Sequence, residues 1–92
     1  MRPRVLAEAE AELLSAMLFY EDRREGLGQD FYDRVSDTMM AIGRDPLRFP
    51  VYEGKSSSRT FRRAAVQRFP YIIVYQVRDD ETLVVAVAHS SR

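Results

Sequence analysis

Apolar residues crowd most densely between Phe69 and Val77 (FPYIIVYQV), where they fall on both parities of an extended chain. Tyr71, Ile73, Tyr75 and Val77 point to one side and Ile72 and Val74 to the other, with Gln76 the one polar residue before the end. Val, Ile and Tyr suit a pleated backbone, Pro70 fits a strand's first residue, and Asp79-Asp80 closes the run with a turn signal. A strand apolar on both faces needs both covered. Leu83 to Ala88 (LVVAVA) is equally apolar and follows after a short acidic link, so the two runs predict a hairpin at the heart of a sheet.

Upstream the period changes. Arg2 to Leu6 is short, and Pro3 confines it to an edge or the start of a strand. From Ala7 to about Glu25 the apolar positions Leu13, Met17 and Tyr20, joined by Ala9 and Ala16, recur at helical spacing, while Glu8, Glu12 and Glu21 fall elsewhere. Early glutamates suit the helix dipole, although no Ser, Thr, Asp or Asn stands ready as N-cap. Gly26-Leu27-Gly28 is the break, with Gly26 expected as a left-handed C-cap and Gly28 opening the next element. A second helix is expected from about Gln29 to Ile42, with Phe31, Val35, Met39 and Ile42 as its stripe and Gly43 at its end. Asp45-Pro46 and Phe49-Pro50 prevent its continuation. Glu53 to Ser58 (EGKSSS) reads as a surface loop.

Arg59 to Val66 (RTFRRAAV) predicts a strand paired with the central one through a tight connection at Gln67 to Pro70. Alternation puts Phe61, Arg63 and Ala65 on one face and Arg62, Ala64 and Val66 on the other, so Arg62 and Arg63 cannot share a face. The order is β-α-α-β-β-β, an α+β fold with a helical hairpin on one face of a small, largely antiparallel sheet. The opposite face, still apolar, is expected to await a partner or self-association.

Residues 1–92 are one domain's worth of chain, with an ordinary globular composition of 46% hydrophobic and 30% charged residues. With no cysteine and one histidine, neither a disulfide framework, a thiolate site nor a multi-histidine metal centre can form, and no cofactor is expected. A cytoplasmic location is expected, because no apolar run reaches the roughly 18 residues of a membrane span and acidic residues begin at Glu8. The formal charge of zero hides an asymmetry: residues 1–37 carry a net −4, residues 38–78 a net +6 and residues 79–92 a net −2. Thirteen of the fourteen bases are arginine, the side chain suited to bidentate contact with phosphate or carboxylate. A basic middle points to an anion-binding or acidic-partner surface, against the blander reading of scattered solvated arginines.

Catalytic signatures are absent: the chain holds no GxSxG, HExxH or GxGxxG, and Gly54-Lys55-Ser56 lacks the upstream glycine of a phosphate loop. The string YEDRREGLGQDFYDRV from Tyr20 to Val35, the Asp45-Pro46 and Arg48-Phe49-Pro50 break, then FRRAAVQRFPYIIVYQV and LVVAVAHSSR, together resemble the RelE/ParE superfamily of bacterial toxins, in its ParE-like, plasmid-stabilisation branch. The resemblance spans nearly the whole chain and implies the same β-α-α-β-β-β order reached from the pattern. It also implies a small antitoxin partner whose extended tail wraps the toxin in a hetero-oligomer, and which would cover the apolar sheet face.

Two activities occur on that fold. ParE-like members bind DNA gyrase and stall it, which takes a surface and no catalytic group. RelE-like members cut messenger RNA in the ribosome without a metal, the ribose 2′-hydroxyl attacking the adjacent phosphate with a proton acceptor, a proton donor and cations in attendance. The ribonuclease branch carries arginine after the tyrosine of its similar YxxVYQV strand, and this chain has Ile72 there. Gyrase inhibition is therefore the expected activity, with Arg62, Arg63 and Arg68 as target-binding residues and no catalytic residue favoured. The alternatives are a nuclease built on His89 and Arg92, histidine being the side-chain type that titrates near neutrality, and an inactive relative that only binds its antitoxin. Tyr71 and Tyr75, four apart in a buried strand, read as core rather than as a base-stacking platform.

Overall fold

The computed structural model describes residues 2–52 and 59–91. Six elements follow in the expected order: β1 (Arg4–Val5), α1 (Ala7–Arg23), α2 (Leu27–Arg44), β2 (Arg62–Ala65), β3 (Tyr71–Arg78) and β4 (Glu81–His89). The strands form one sheet in the order β1-β4-β3-β2, with β1 parallel to β4 and the other neighbours antiparallel. The expected loop at Glu53 to Ser58 and the terminal Arg92 lie outside the described residues.

The helical hairpin is set by its glycines and one glutamate. Helix α1 follows Leu6, an N-cap that offers no side-chain bond, as the sequence indicated, and stops when Arg24 turns extended and donates its N–H to the Tyr20 carbonyl at 3.1 Å. Gly26 does take the left-handed conformation, at φ +88°, but as the N-cap of α2 rather than the C-cap of α1. Its place is dictated by backbone angle alone, since a Cβ there would meet nothing within 4 Å. Gly28 is dictated by space, because a Cβ would stand 2.7 Å from the Met17 carbonyl oxygen on α1. The Glu21 carboxylate accepts from the N–H groups of Gly26 and Gly28, both at 3.0 Å at the closer oxygen. It thus satisfies α2's first donors where no Ser or Asp cap exists.

Of the two faces of β3, the one carrying Tyr71, Ile73, Tyr75 and Val77 meets the helices. Ile73 and Tyr75 are fully buried with Phe31, Val35 and Ile42 of α2 and Ala9 and Ala16 of α1, and Leu13, Met17 and Tyr20 pack around them half-buried. Burying one such side chain is worth about 1.5 to 3 kcal/mol. The expected strand at Phe69 starts later, at Tyr71, because Arg68 adopts φ +73° and Pro70 lacks an N–H, so Phe69 and Pro70 belong to the turn. Phe69 still reaches the core, its ring 4.9 Å from that of Tyr20 and 5.1 Å from that of Phe31. An irregularity opposite Val74 and Tyr75 leaves Val85 of β4 unpaired, so Val84 and Val87, three apart, both face the helices.

A segment after α2 closes the β2 edge. The Tyr75 hydroxyl donates to the Pro46 carbonyl at 2.6 Å, and Arg62 donates to the Phe49 carbonyl at 2.8 Å. Arg63 N–H then donates to the Pro50 carbonyl and Tyr52 N–H to that of Phe61, with a bridge between Val51 and Arg62. The chain thereby lays Pro50 to Tyr52 along β2, with a proline on the outside where a free edge would invite pairing.

Candidate functional site

The face of the sheet away from the helices was expected to be bare. Val74, Gln76 and Leu83 on that face are instead buried, at 7%, 6% and 6% exposure. What stays open is a groove of about 400 Å³ between the wall made by Tyr52 and Phe61 and the end of β4. Its apolar floor is Ile72, Val74, Val85, Ala86 and Ala88, and its polar lining is Arg63, His89 and Ser90. Alternation from β2 brings Arg63 here, opposite Val74, exposed and with its backbone held to Pro50. His89 arrives as the last residue of β4, paired across from Tyr71, with their rings 5.3 Å apart edge to face. An apolar floor with a guanidinium at one side suits a partner that offers apolar side chains and an acidic group.

His89 is held from its own chain. Ser91 N–H donates to Nδ1 at 3.2 Å and Ser91 Oγ lies 3.0 Å from the same atom, so a neutral ring carries its proton on Nε2. Among the described residues no carboxylate is bonded to it, and no cluster of three metal-ligating side chains occurs.

Arg68 occupies a second hollow, of about 480 Å³, on the α2 side of the β2–β3 turn. It stands there with Arg24, Arg34 and three aspartates of α2, Asp30, Asp33 and Asp37. Arg24 and Asp30 approach to 3.9 Å, both well exposed, a pair of little energetic weight. The backbone of Arg68 sits in the left-handed region that a side chain with a Cβ rarely adopts, while its own side chain is exposed.

The five residues singled out from sequence are thus dispersed. Arg63 and His89 share the groove and Arg68 lines the second hollow. Arg62, half-buried on the opposite face of β2 from Arg63, holds the Leu47 and Phe49 carbonyls at 3.4 and 2.8 Å. Arg92 lies outside the described residues. Sequence reasoning missed Tyr52, whose place in the groove wall depends on its pairing with Phe61, nine residues on, and Glu12, whose carboxylate accepts from Val87 N–H at 2.9 Å. Nothing local marks either residue.

The hydroxyl of Tyr75, beneath the Pro46 segment, is pushed above the ordinary tyrosine range by burial, against a lowering influence from Arg62 and with a smaller raising one from Asp45. No helix among the described residues is long and apolar enough to cross a membrane.

Comparison with known proteins bears on all of this. A family model described as the ParE toxin of the type II toxin-antitoxin system parDE matches residues 4–92. No curated protein matches the chain. A solved structure described as a chromosomal ParDE TA system from P. aeruginosa superposes with a TM-score of 0.77 at 12% identity, covering 97% of this chain and 95% of that one. At that identity the likeness is one of fold.

Proposed function

We propose that this chain, which belongs to the ParE toxin family of type II toxin-antitoxin systems, stops growth by seating on DNA gyrase and is neutralised when a cognate antitoxin covers the groove on its open sheet face. The observation that carries the choice of a binding toxin over a nuclease is the setting of His89. Cleavage by the ribose 2′-hydroxyl needs an acceptor and a donor of protons at one phosphate, with cations around it. The one imidazole of the chain is tied at Nδ1 to Ser91 and lies edge-on to Tyr71, with no acidic partner among the described residues. Ile72 supplies an apolar floor where a nuclease would place a cation.

Gyrase binding asks instead for exposed arginines on fixed elements. Arg63 on β2 and Arg68 in the turn behind it meet that need, and both are exposed. Arg62 contributes by holding the Pro46 to Pro50 segment in place behind them. The antitoxin reading rests on the groove, whose apolar floor and single guanidinium fit an apolar anchor followed by an acidic residue.

A second reading has one observation in its favour: Arg63 and His89 line the same groove. A ribosome-dependent nuclease would use that pair on a messenger RNA phosphate. Expression of the His89→Ala chain separates the two. Growth arrest with intact messenger RNA and an SOS-type DNA damage response is expected. A folded, antitoxin-binding variant that no longer arrests growth would transfer the assignment to RNA cleavage.

A further inference from the structure

The groove on the open sheet face is concave enough to hold a small molecule. Its volume of about 400 Å³ lies within the roughly 300 to 1,000 Å³ of ligand pockets. Its floor is recessed: Val74 is buried although it lies on the face away from the helices, and Ile72, Val85, Ala86 and Ala88 are half-buried around it. The two alanines of β4 give the groove its depth, because each stands across from a larger residue of β3, Ala86 from Val74 and Ala88 from Ile72. Tyr52 and Phe61 form the wall on the β2 side, tied by the bond from Tyr52 N–H to the Phe61 carbonyl at 2.7 Å.

The polar groups stand at its two ends. Arg63 is paired across from Val74 and His89 across from Tyr71, so their backbones are separated by two strand spacings of about 4.8 Å and three residues of about 3.4 Å each, a diagonal of about 14 Å. No carboxylate lines the groove, and among the described residues none pairs with the Arg63 guanidinium. The second hollow differs here, since three aspartates share its lining with the arginines. An unpaired guanidinium beside an apolar floor calls for one negative charge on an apolar body. A carboxylate supplies that single charge, and its two oxygens match the fork of guanidinium N–H donors.

We propose that the groove binds a small amphipathic carboxylate, a medium-chain acid, with its carboxylate on Arg63 and its chain laid over Ile72, Val74, Ala86 and Ala88 toward His89. Bound there, the acid occupies the place of the antitoxin's apolar anchor and acidic residue, so that it releases the toxin. The release step rests on the antitoxin's proposed seat in the groove; the binding step stands on the lining alone.

The test titrates the purified full chain with octanoate and follows its backbone amide shifts by NMR. The amides of Ile72, Val74, Ala86 and Ala88 should move together and saturate with one binding constant. Octanol, with the same chain length and no charge, should bind at least about tenfold more weakly, the scale of one charge-assisted hydrogen bond. Arg63→Gln should lose the same factor, whereas Arg44→Gln, at an exposed position of α2 outside the groove, should bind octanoate as the parent does. Equal binding of octanol and octanoate, an Arg63→Gln chain that binds octanoate unchanged, or groove amides that do not move would each overturn the carboxylate site and leave the toxin-antitoxin reading standing. Saturating octanoate should also weaken binding to the protein encoded by the adjacent antitoxin reading frame. Octanoate seated in the groove while that protein binds undiminished would overturn the release step and the antitoxin's place in the groove, with the ligand site intact.

Discussion

Arg68 offers the clearest separation of stability from function. Its φ of +73° lies where a residue with a Cβ costs roughly 1 to 2 kcal/mol, and no strain of that kind would remain with glycine. Arg68→Gly gives back about 0.5 to 1 kcal/mol through the greater freedom of glycine in the unfolded chain, leaving a net gain between about 0 and 1.5 kcal/mol. For a domain of this size each kcal/mol moves Tm by about 4 to 8 °C, so thermal unfolding followed by circular dichroism should show a rise of up to about 12 °C and no fall. The same variant should lose gyrase inhibition, because the exposed guanidinium is gone. Arg68→Ala keeps the strained backbone and removes the side chain beyond Cβ, guanidinium included, so it should lose inhibition without the gain in Tm. Asp79, at φ +53° in the β3–β4 turn, is the control: aspartate tolerates this region better, so Asp79→Gly should stabilise less and leave inhibition intact. An Arg68→Gly chain that melts lower than the parent, or inhibits as well as it does, would refute the reasoning.

Other outcomes follow from the fold. Tyr75→Phe should cost about 1 kcal/mol in urea unfolding by leaving the Pro46 carbonyl without its donor. Burial raises the folded pKa of Tyr75 above 10, so the protonated hydroxyl contributes stability that is complete below that value and is lost as pH climbs through the folded pKa; the parent should lose stability in this alkaline window more steeply than Tyr75→Phe. Gly28→Ala pushes a Cβ to 2.7 Å from the Met17 carbonyl oxygen and should cost about 1 to 3 kcal/mol by forcing the helices apart, readable as a lower Tm. Ile42→Ala, at a fully buried position of α2, should cost about 2 to 5 kcal/mol in the same assay, and an unchanged midpoint would contradict the helix register.

The fold was legible because its two periods are clean. Leu13, Met17 and Tyr20 at helical spacing, and the alternation of Tyr71, Ile73, Tyr75 and Val77, each specify one buried face, and element order then leaves few ways to pack a helical hairpin on a sheet. The opposed faces of Arg62 and Arg63 followed from the same alternation. What escaped depends on backbone angles and distant pairings. Val85 is an extra residue in β4, and LVVAVA is apolar at every position, so no pattern could reveal the shift. Gly26 was read as the end of one helix when it begins the next, because a left-handed glycine serves either end and Glu21, rather than a local cap, decides. The site was less legible still: Tyr52 bonds to Phe61 beside β2, and Glu12 reaches a strand 75 residues away, contacts for which the chain carries no local signature.

The central claim is that exposed arginines on the sheet and its turn bind gyrase without any proton transfer at His89. Inhibition of gyrase supercoiling by the purified chain, measured alongside translation of a reporter messenger RNA, tests it most directly. Supercoiling should be blocked by both the parent and His89→Ala, restored by added antitoxin and by charge reversal at Arg63 or Arg68, and relieved by rising salt, with the messenger left whole. Untouched supercoiling together with a cleaved messenger, and cleavage lost in His89→Ala, would contradict it.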